Sequence, residues 1–398
     1  LAAPEVHINV ENVKNGAPSN DKTITPSISI VDHEGNLDPE SISLKVTVVK
    51  LTDENEIKSF TALDYHGLSA WKDGDGSIKL DNENSPNEIS FNMNNLEEDG
   101  IYTITVSASD LAGNTGGQSS EDKQKGSEYK LSVNRLGSTY EVDDKIISKD
   151  PELRYYQNSD GSPFAFTITE YNVNTLNPTD TIVKITCDGN VVDNEVKATE
   201  ETGDNTWSKY TYEFPPELFE NSGKYIIKLY SVDAAGNENP LEINGDDERA
   251  TVTFFIDNIS PEVHFRDADD KTEFTNEDPY RTDLKHIEVE VYDNSMQEAQ
   301  DVVFKLNGEE LSVNHDAGSM IYTFDIPSKT SLQTLNMTLK DIAGNETDTG
   351  VEDFLITTNV FILWFKNTPL FIGTILALLA VIGGIVFAVV RKKPRGFN

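Results

Sequence analysis

Residues 98–114 read EDGIYTITVSASDLAGN. Tyr102, Ile104, Val106 and Ala108 alternate with Thr103, Thr105 and Ser107. A period of two puts the apolar set on one face of a half-buried antiparallel strand. The strand must end at Asp110-Leu-Ala-Gly-Asn114, where the Asp can accept backbone N–H groups and the Gly can take positive φ. The same phrase returns twice, as Asp233-Ala-Ala-Gly-Asn237 and Asp341-Ile-Ala-Gly-Asn345. The first residues of the three phrases are 123 and 108 apart, a period that signals an array of domains and not a short-repeat solenoid. Period-2 strands precede the later copies too, through Tyr225, Ile227 and Leu229 and through Leu335, Met337 and Leu339.

The rest of each segment is read as short strands. Ile28 and Ile30 are followed by a Gly35-Asn36 turn region and then Ile42, Leu44, Val46 and Val48. Ile182 to Cys187 runs into Asp188-Gly189, and Val302 to Leu306 into Asn307-Gly308. Asp-Gly and Asn-Gly supply the positive φ angles of two-residue hairpins. Closing strands are expected at Tyr129 to Val133, Val252 to Ile256 and Phe354 to Ile356. Outside the C-terminus no long stretch has a period of 3.6, so the fold class is all-β, as tandem sandwiches.

Glu98-Asp-Gly-Ile-Tyr102-Thr-Ile104 and Asn221-Ser-Gly-Lys-Tyr225-Ile-Ile227 resemble the start of strand F in immunoglobulin-like domains. There a Tyr two residues before a cysteine makes the tyrosine corner. Ile104 and Ile227 stand at the cysteine positions, so an apolar contact replaces the disulfide, and Gln333 stands where the third Tyr would be. With Asp-x-Ala-Gly-Asn, the pattern resembles tandem bacterial Ig-like domains of Gram-positive surface proteins, over roughly residues 3 to 358. The resemblance implies Ig-like β-sandwiches that act as stalks, spacers or adhesive modules. Some Gram-positive surface domains carry Lys–Asn isopeptide bonds, but nothing in this sequence places such a pair.

The expected layout is domain 1 over 1–135 with an insertion at 49–87, domain 2 over 136–258, domain 3 over 259–358, a juxtamembrane linker over 359–369, a transmembrane helix over 370–390 and a tail over 391–398. Each domain is long enough for one sandwich, which predicts an elongated rod. Asp257-Asn-Ile-Ser-Pro261-Glu-Val-His264 joins domains two and three, and Ala3-Pro4-Glu5-Val6-His7 matches its second half. Leu1 therefore reads as a cut within a longer precursor. The proline fixes φ and blocks continued strand pairing, which makes a short joint.

Leu370 to Val390 holds no charge, and Arg391, Lys392, Lys393 and Arg395 follow. At about 1.5 Å per residue this segment spans roughly 31 Å, the hydrocarbon thickness of a bilayer. Basic residues stay cytoplasmic, so the tail lies inside and residues 1 to about 365 outside, with Trp364 and Lys366 at the outer interface. No Leu-Pro-x-Thr-Gly motif precedes the helix, so the helix itself is the anchor. Ala380, Gly384 and Ala388 form a small-residue row, which alone is ordinary in membrane helices.

The chain has 32 Lys+Arg and 69 Asp+Glu; five of the basic residues and none of the acids lie beyond residue 365, which leaves 27 against 69, a net −42. That charge excludes nucleic acid as a partner. Cys187 is the single cysteine, so no intrachain disulfide forms, which fits a bacterial surface better than a disulfide-rich animal ectodomain.

No catalytic, cofactor or metal residue is assigned from the sequence. H-E-x-x-H, G-x-S-x-G and phosphate-binding loops are missing, and an enzyme is not expected. Calcium at Asp110/Asn114, Asp233/Asn237 or Asp341/Asn345 is weighed and set aside, because two oxygen-bearing side chains fall short of six to eight ligands. In the EF-hand-like run Asp73-Gly-Asp75-Gly76-Ser-Ile78, Trp71 and Asn82 fall where the first and twelfth ligands belong. Aromatic and acidic loops such as the insertion's, with Tyr65, His66 and Trp71, can bind sugars or peptides, but a decorated loop with no ligand is the expectation. The expected function is a non-catalytic surface stalk displaying an N-terminal module. The alternatives are an adhesin for a protein or carbohydrate ligand, or the stalk of a surface enzyme whose catalytic domain precedes Leu1.

Overall fold

The computed structural model describes the chain except residues 1, 73–77, 81–87, 117–126, 148–153, 160, 177–180, 203–206, 240–250, 294–298 and 392–398. It divides into two compact units, Leu1–Arg154 with Pro163–Phe255, and Tyr155–Ser162 with Ile256–Asn398.

The first unit contains two sandwiches. In the first, strands A (Glu5–Asn9), B (Ser27–Val31), D (Ile78–Leu80) and E (Glu88–Met93) form a sheet ordered A-B-E-D. C (Leu37–Leu51), C′ (Ile57–His66), F (Gly100–Asp110) and G (Ser127–Val133) form the facing sheet, ordered G-F-C-C′. A short strand, Pro18–Ser19, joins that sheet parallel to G. The second sandwich repeats the plan. A (Thr139–Val142), B (Phe166–Asn172), D (Ala198–Thr202) and E (Ser208–Phe214) face C (Ile182–Cys187), C′ (Asn190–Val192), F (Gly223–Val232) and G (Thr251–Ile256). The second unit holds a third copy. There A (Glu262–Asp267), B (Leu284–Tyr292), D (Asn314–His315) and E (Ile321–Pro327) face C (Gln300–Leu306), C′ (Glu309–Glu310), F (Gln333–Lys340) and G (Glu346–Phe354). A-B-E-D against G-F-C, with C′ added, is the immunoglobulin strand order. The fold is all-β, tandem Ig-like sandwiches.

Each core is made by the alternation read from the sequence. Along strand F of the first sandwich every second residue from Gly100 to Asp110 is buried. Ile104 joins Ile28, Ile30 and Val46 in one cluster, with no cysteine needed. Asp188 and Gly189 (φ 48° and 81°) and Asn307 and Gly308 (φ 57° and 86°) make the expected two-residue hairpins. The third closing strand is a correction. It runs Glu346–Phe354, not Phe354 to Ile356. It pairs with F alone and is largely exposed, so it carries no apolar alternation to read.

Within the first unit, the C–C′ hairpin accounts for part of the stretch read as an insertion. Val49, Leu51 and Ile57 pack on Trp207, Tyr171 and Val173 of the second sandwich. Trp207 donates its indole N–H to the Val49 carbonyl at 2.9 Å.

The stretch read as a linker contains a helix, Val360–Lys366, capped by Asn359, which accepts from the N–H groups of Phe361 and Ile362 at 3.0 and 3.3 Å. A second helix, Thr368–Arg391, has a mean hydropathy of 2.7 in its most apolar stretch and no buried residue; it is long and apolar enough to cross a membrane. Trp364 donates to Thr374 Oγ1 at 3.1 Å, which ties the two helices.

Candidate functional site

The recurring Asp-x-Ala-Gly-Asn phrase makes the same turn three times. Asp110 Oδ1 accepts from the N–H groups of Ala112 and Asn114 at 2.9 and 2.8 Å, and its Oδ2 from Asn114 Nδ2 at 2.7 Å. Asp233 does the same with Ala235 and Asn237, and Asp341 with Gly344 and Asn345. Gly113, Gly236 and Gly344 all have positive φ (87°, 86° and 98°), the conformation that selects glycine there. The Asn114 amide and the turn's N–H groups hold the Asp110 carboxyl below the usual carboxylate range. Asp341 moves the other way. Burial pushes it up, its Asn345 and Gly344 donors oppose this, and the Asp257 charge adds to it.

These turns sit beside two further polar positions that the sequence reading did not connect to them. At the end of strand B stand Asp32, Asn172 and Asp293: Asn172 is the last residue of its strand, and Asp32 and Asp293 follow directly on Val31 and Tyr292. The segment leading into the second sandwich brings Asn134, and that leading into the third brings Asp257. The two are equivalent: the Asn134 carbonyl accepts from Asn237 Nδ2, and the Asp257 carbonyl from Asn345 Nδ2, both at 2.8 Å. In the second unit the carboxylates of Asp257, Asp293 and Asp341 gather with oxygens within 4.8 Å of one another. A signal existed in the strings ISIVD and VEVYD, in which two alternating β-branched residues of strand B run into an Asp in the first and third copies. It went unread because periodicity does not say which strand ends share a pole.

The tyrosine corners form as read. Tyr102 donates to the Glu98 carbonyl at 2.9 Å and Tyr225 to the Asn221 carbonyl at 3.0 Å. Burial pushes the Tyr102 hydroxyl up to about 12. Gln333 is buried at the third corner and its Nε2–H donates to the Pro327 carbonyl at 3.2 Å, a substitute for the missing tyrosine, while its Oε1 has no partner among the described residues. The second sandwich contains a buried Glu170 at the position of core residues Ile30 and Val291. Tyr140 and Ser231 donate to its Oε1 at 3.1 and 2.6 Å, and Tyr212 to its Oε2.

Other sequence candidates disperse. Tyr65 packs against the first core, and His66 lies on strand C′ beside Asp64 at 3.1 Å. The Asp73 loop and the Trp71 side chain lie outside the described residues. Cys187 is half-buried, not fully buried as a small hydrophobe would be, and burial pushes its thiol up, away from the reactive thiolate.

No protein-family model matches the chain, and no curated protein matches it. Among solved structures, the mouse nectin-like molecule 4 ectodomain is similar over 86% of this chain and 97% of that one, at 12% identity and a TM-score of 0.30. The titin fragment A168169 is similar over 64% of this chain and 100% of that one, at 9% identity and a TM-score of 0.30. Extracellular domains 3–5 of Drosophila OTK are similar over 89% and 100%, at 10% identity and a TM-score of 0.24. Likenesses this low carry no argument about function, and the Ig-like assignment rests on the strand order itself.

Proposed function

We propose that this chain is the membrane-anchored part of a Gram-positive bacterial surface protein. Its role is mechanical: three Ig-like sandwiches, over about 1–135, 136–258 and 259–358, anchor and present the N-terminal end outside the cell. The observation that carries this reading is the helix Thr368–Arg391, 24 residues long with none of its residues buried, which follows the last Ig-like sandwich after the short helix Val360–Lys366. Arg391, Lys392, Lys393 and Arg395 at its end favour a cytoplasmic C-terminus. The net −42 of the preceding residues suits a solvated exterior surface. The buried polar groups also support a non-catalytic part. Glu170 is taken up by three hydroxyls, and the Asp110 and Asp233 carboxylates hold their turns.

The test is a full chain carrying one epitope tag before Leu1 and another after Asn398, displayed on intact cells. The N-terminal tag should bind antibody without permeabilisation, the C-terminal tag only after it, and carbonate washing should release neither. A C-terminal tag exposed on intact cells, or release by carbonate, overturns the anchored orientation.

A further inference from the structure

The three sandwiches compare one polar pole under three sets of side chains. In the second, an N–H donor sits at the centre. Asn134 Nδ2 lies 3.1 Å from Asn172 Oδ1, 2.9 Å from Asn174 Oδ1 and 2.9 Å from Asp233 Oδ2. Three oxygens converge there on one neutral amide NH2 group, whose two hydrogens carry the partial positive charge. Asn172 Nδ2 also donates to Asp233 Oδ2 at 3.2 Å and to Ser138 Oγ at 2.8 Å, so at this pole two side-chain amides supply the donors that meet the Asp233 carboxylate.

In the third sandwich the amides at two of these positions are replaced by carboxylates, Asp257 and Asp293, beside Asp341. Asp257 and Asp341 are buried, at 6% and 1% exposure. An ionised carboxylate has no proton to give, so nothing in the trio can play the part of Asn134. Oxygens within 4.8 Å of one another fit around one ion, since ligands at about 2.4 Å from a calcium ion are at most about 4.8 Å apart.

A separate sign comes from the first sandwich. Asp32, at the Asn172 and Asp293 position, is 1% exposed, and its Oδ2 has no hydrogen-bond partner among the described residues. On the B–C turn, the Asn36 Oδ1 atom is also buried and has no hydrogen-bond partner among the described residues. The Asn36 carbonyl accepts from the Leu111 N–H at 2.8 Å, which places Asn36 against the Asp110 turn. A bare carboxylate oxygen taken out of water is costly unless a donor or a cation meets it. It is bare at the same pole where the third sandwich gathers three carboxylates.

We infer that this pole is a divalent-cation site of calcium class in the third sandwich, ligated by Asp257, Asp293 and Asp341, and in the first by Asp32, Asn36 and Asp110, whereas in the second the Asn134 amide takes the ion's place. Calcium suits the site better than magnesium. It tolerates irregular oxygen sets and completes them with water, while magnesium demands a near-ideal octahedron. In the third sandwich the ion would fix the incoming segment at Asp257 to the turn at Asp341.

The experiment is calorimetric titration of the full chain in detergent micelles, after chelator treatment, with calcium chloride and separately with magnesium chloride. Salt at about 0.15 M screens the exposed acidic surface. Two saturable calcium sites are expected. Asp257→Asn with Asp293→Asn should abolish one, and Asp32→Asn should weaken the other at least about tenfold, as ligand charge falls. The double variant carries the residues that the second sandwich already uses, so it should fold, and its second unit should no longer melt higher with calcium. Conversely, Asn134→Asp with Asn172→Asp should install a third site. The inference is overturned by an absence of saturable binding, or by binding that these variants leave unchanged, which would assign it to the acidic surface. Equal affinity for magnesium overturns the calcium assignment.

Discussion

Replacing Tyr102 by Phe removes one oxygen atom and one hydrogen bond, and it tests the Ig-like assignment at its most specific point. The hydroxyl lies 2.9 Å from the Glu98 carbonyl, and the side chain is 4% exposed. With its pKa pushed up to about 12 by burial, the group is protonated at any neutral pH, so the bond is intact there. A neutral hydrogen bond of this kind contributes roughly 0.5–1.5 kcal/mol net. Glu98 is itself exposed, so water can recover part of the carbonyl's loss, and the cost should be about 1 kcal/mol. For a cooperative unit of this size that lowers the melting temperature by roughly 2–4 °C. Gln333→Met at the third corner is the matched perturbation. It also loses one bond, to the Pro327 carbonyl, worth about 1 kcal/mol, but it removes a buried unpartnered Oε1, whose desolvation costs about 1–3 kcal/mol. The two terms oppose, so Gln333→Met should be neutral or stabilising. Calorimetric melts of the full chain and both variants, with transitions assigned to the two units, decide the matter. An unchanged first-unit midpoint in Tyr102→Phe, or a larger loss in Gln333→Met than in Tyr102→Phe, would refute the reasoning.

Two further predictions concern the first unit. Glu170→Ala leaves the Tyr212 and Ser231 hydroxyls buried without their acceptor and should cost about 3–5 kcal/mol in urea denaturation, whereas Glu170→Gln keeps an acceptor and should cost less; a loss under about 1 kcal/mol for Glu170→Ala would show that the network contributes little. Trp207→Ala removes the indole that packs on Val49, Leu51 and Ile57 and should cost about 3–5 kcal/mol, splitting the melting of the two sandwiches into separate steps; one transition with an unchanged midpoint would contradict their coupling.

Much of the fold was legible because its signals are local. Strand F announces itself by alternation, the turns by Asp-x-Ala-Gly-Asn, the hairpins by Asp-Gly and Asn-Gly, the corners by Tyr102 and Tyr225, and the membrane-length helix by an uncharged run. Strand G of the third sandwich was misplaced because it is a polar edge strand, stabilised by pairing with F and not by a buried face of its own. Glu170 gave no sign either. A glutamate in an alternating strand reads as a solvent-facing residue, and only the arrival of Tyr140, Tyr212 and Ser231 from other strands makes its burial tolerable.

The amino-acid string by itself determined the fold class, the threefold repeat and the apolar C-terminal helix, since each is written in neighbours a few residues apart. It also shows that every Asp-x-Ala-Gly-Asn carries only two side-chain oxygen donors, too few to hold a calcium ion without further ligands from elsewhere in the fold. Tertiary structure alone decided what stands next to those turns. Strands B and F lie in opposite sheets yet end at the same pole, and the incoming segment crosses that pole, so Asp257, Asp293 and Asp341 meet although they are far apart in the chain. Side-chain chemistry at a sandwich pole is set by which strand ends the two sheets bring together, and no local period encodes that pairing.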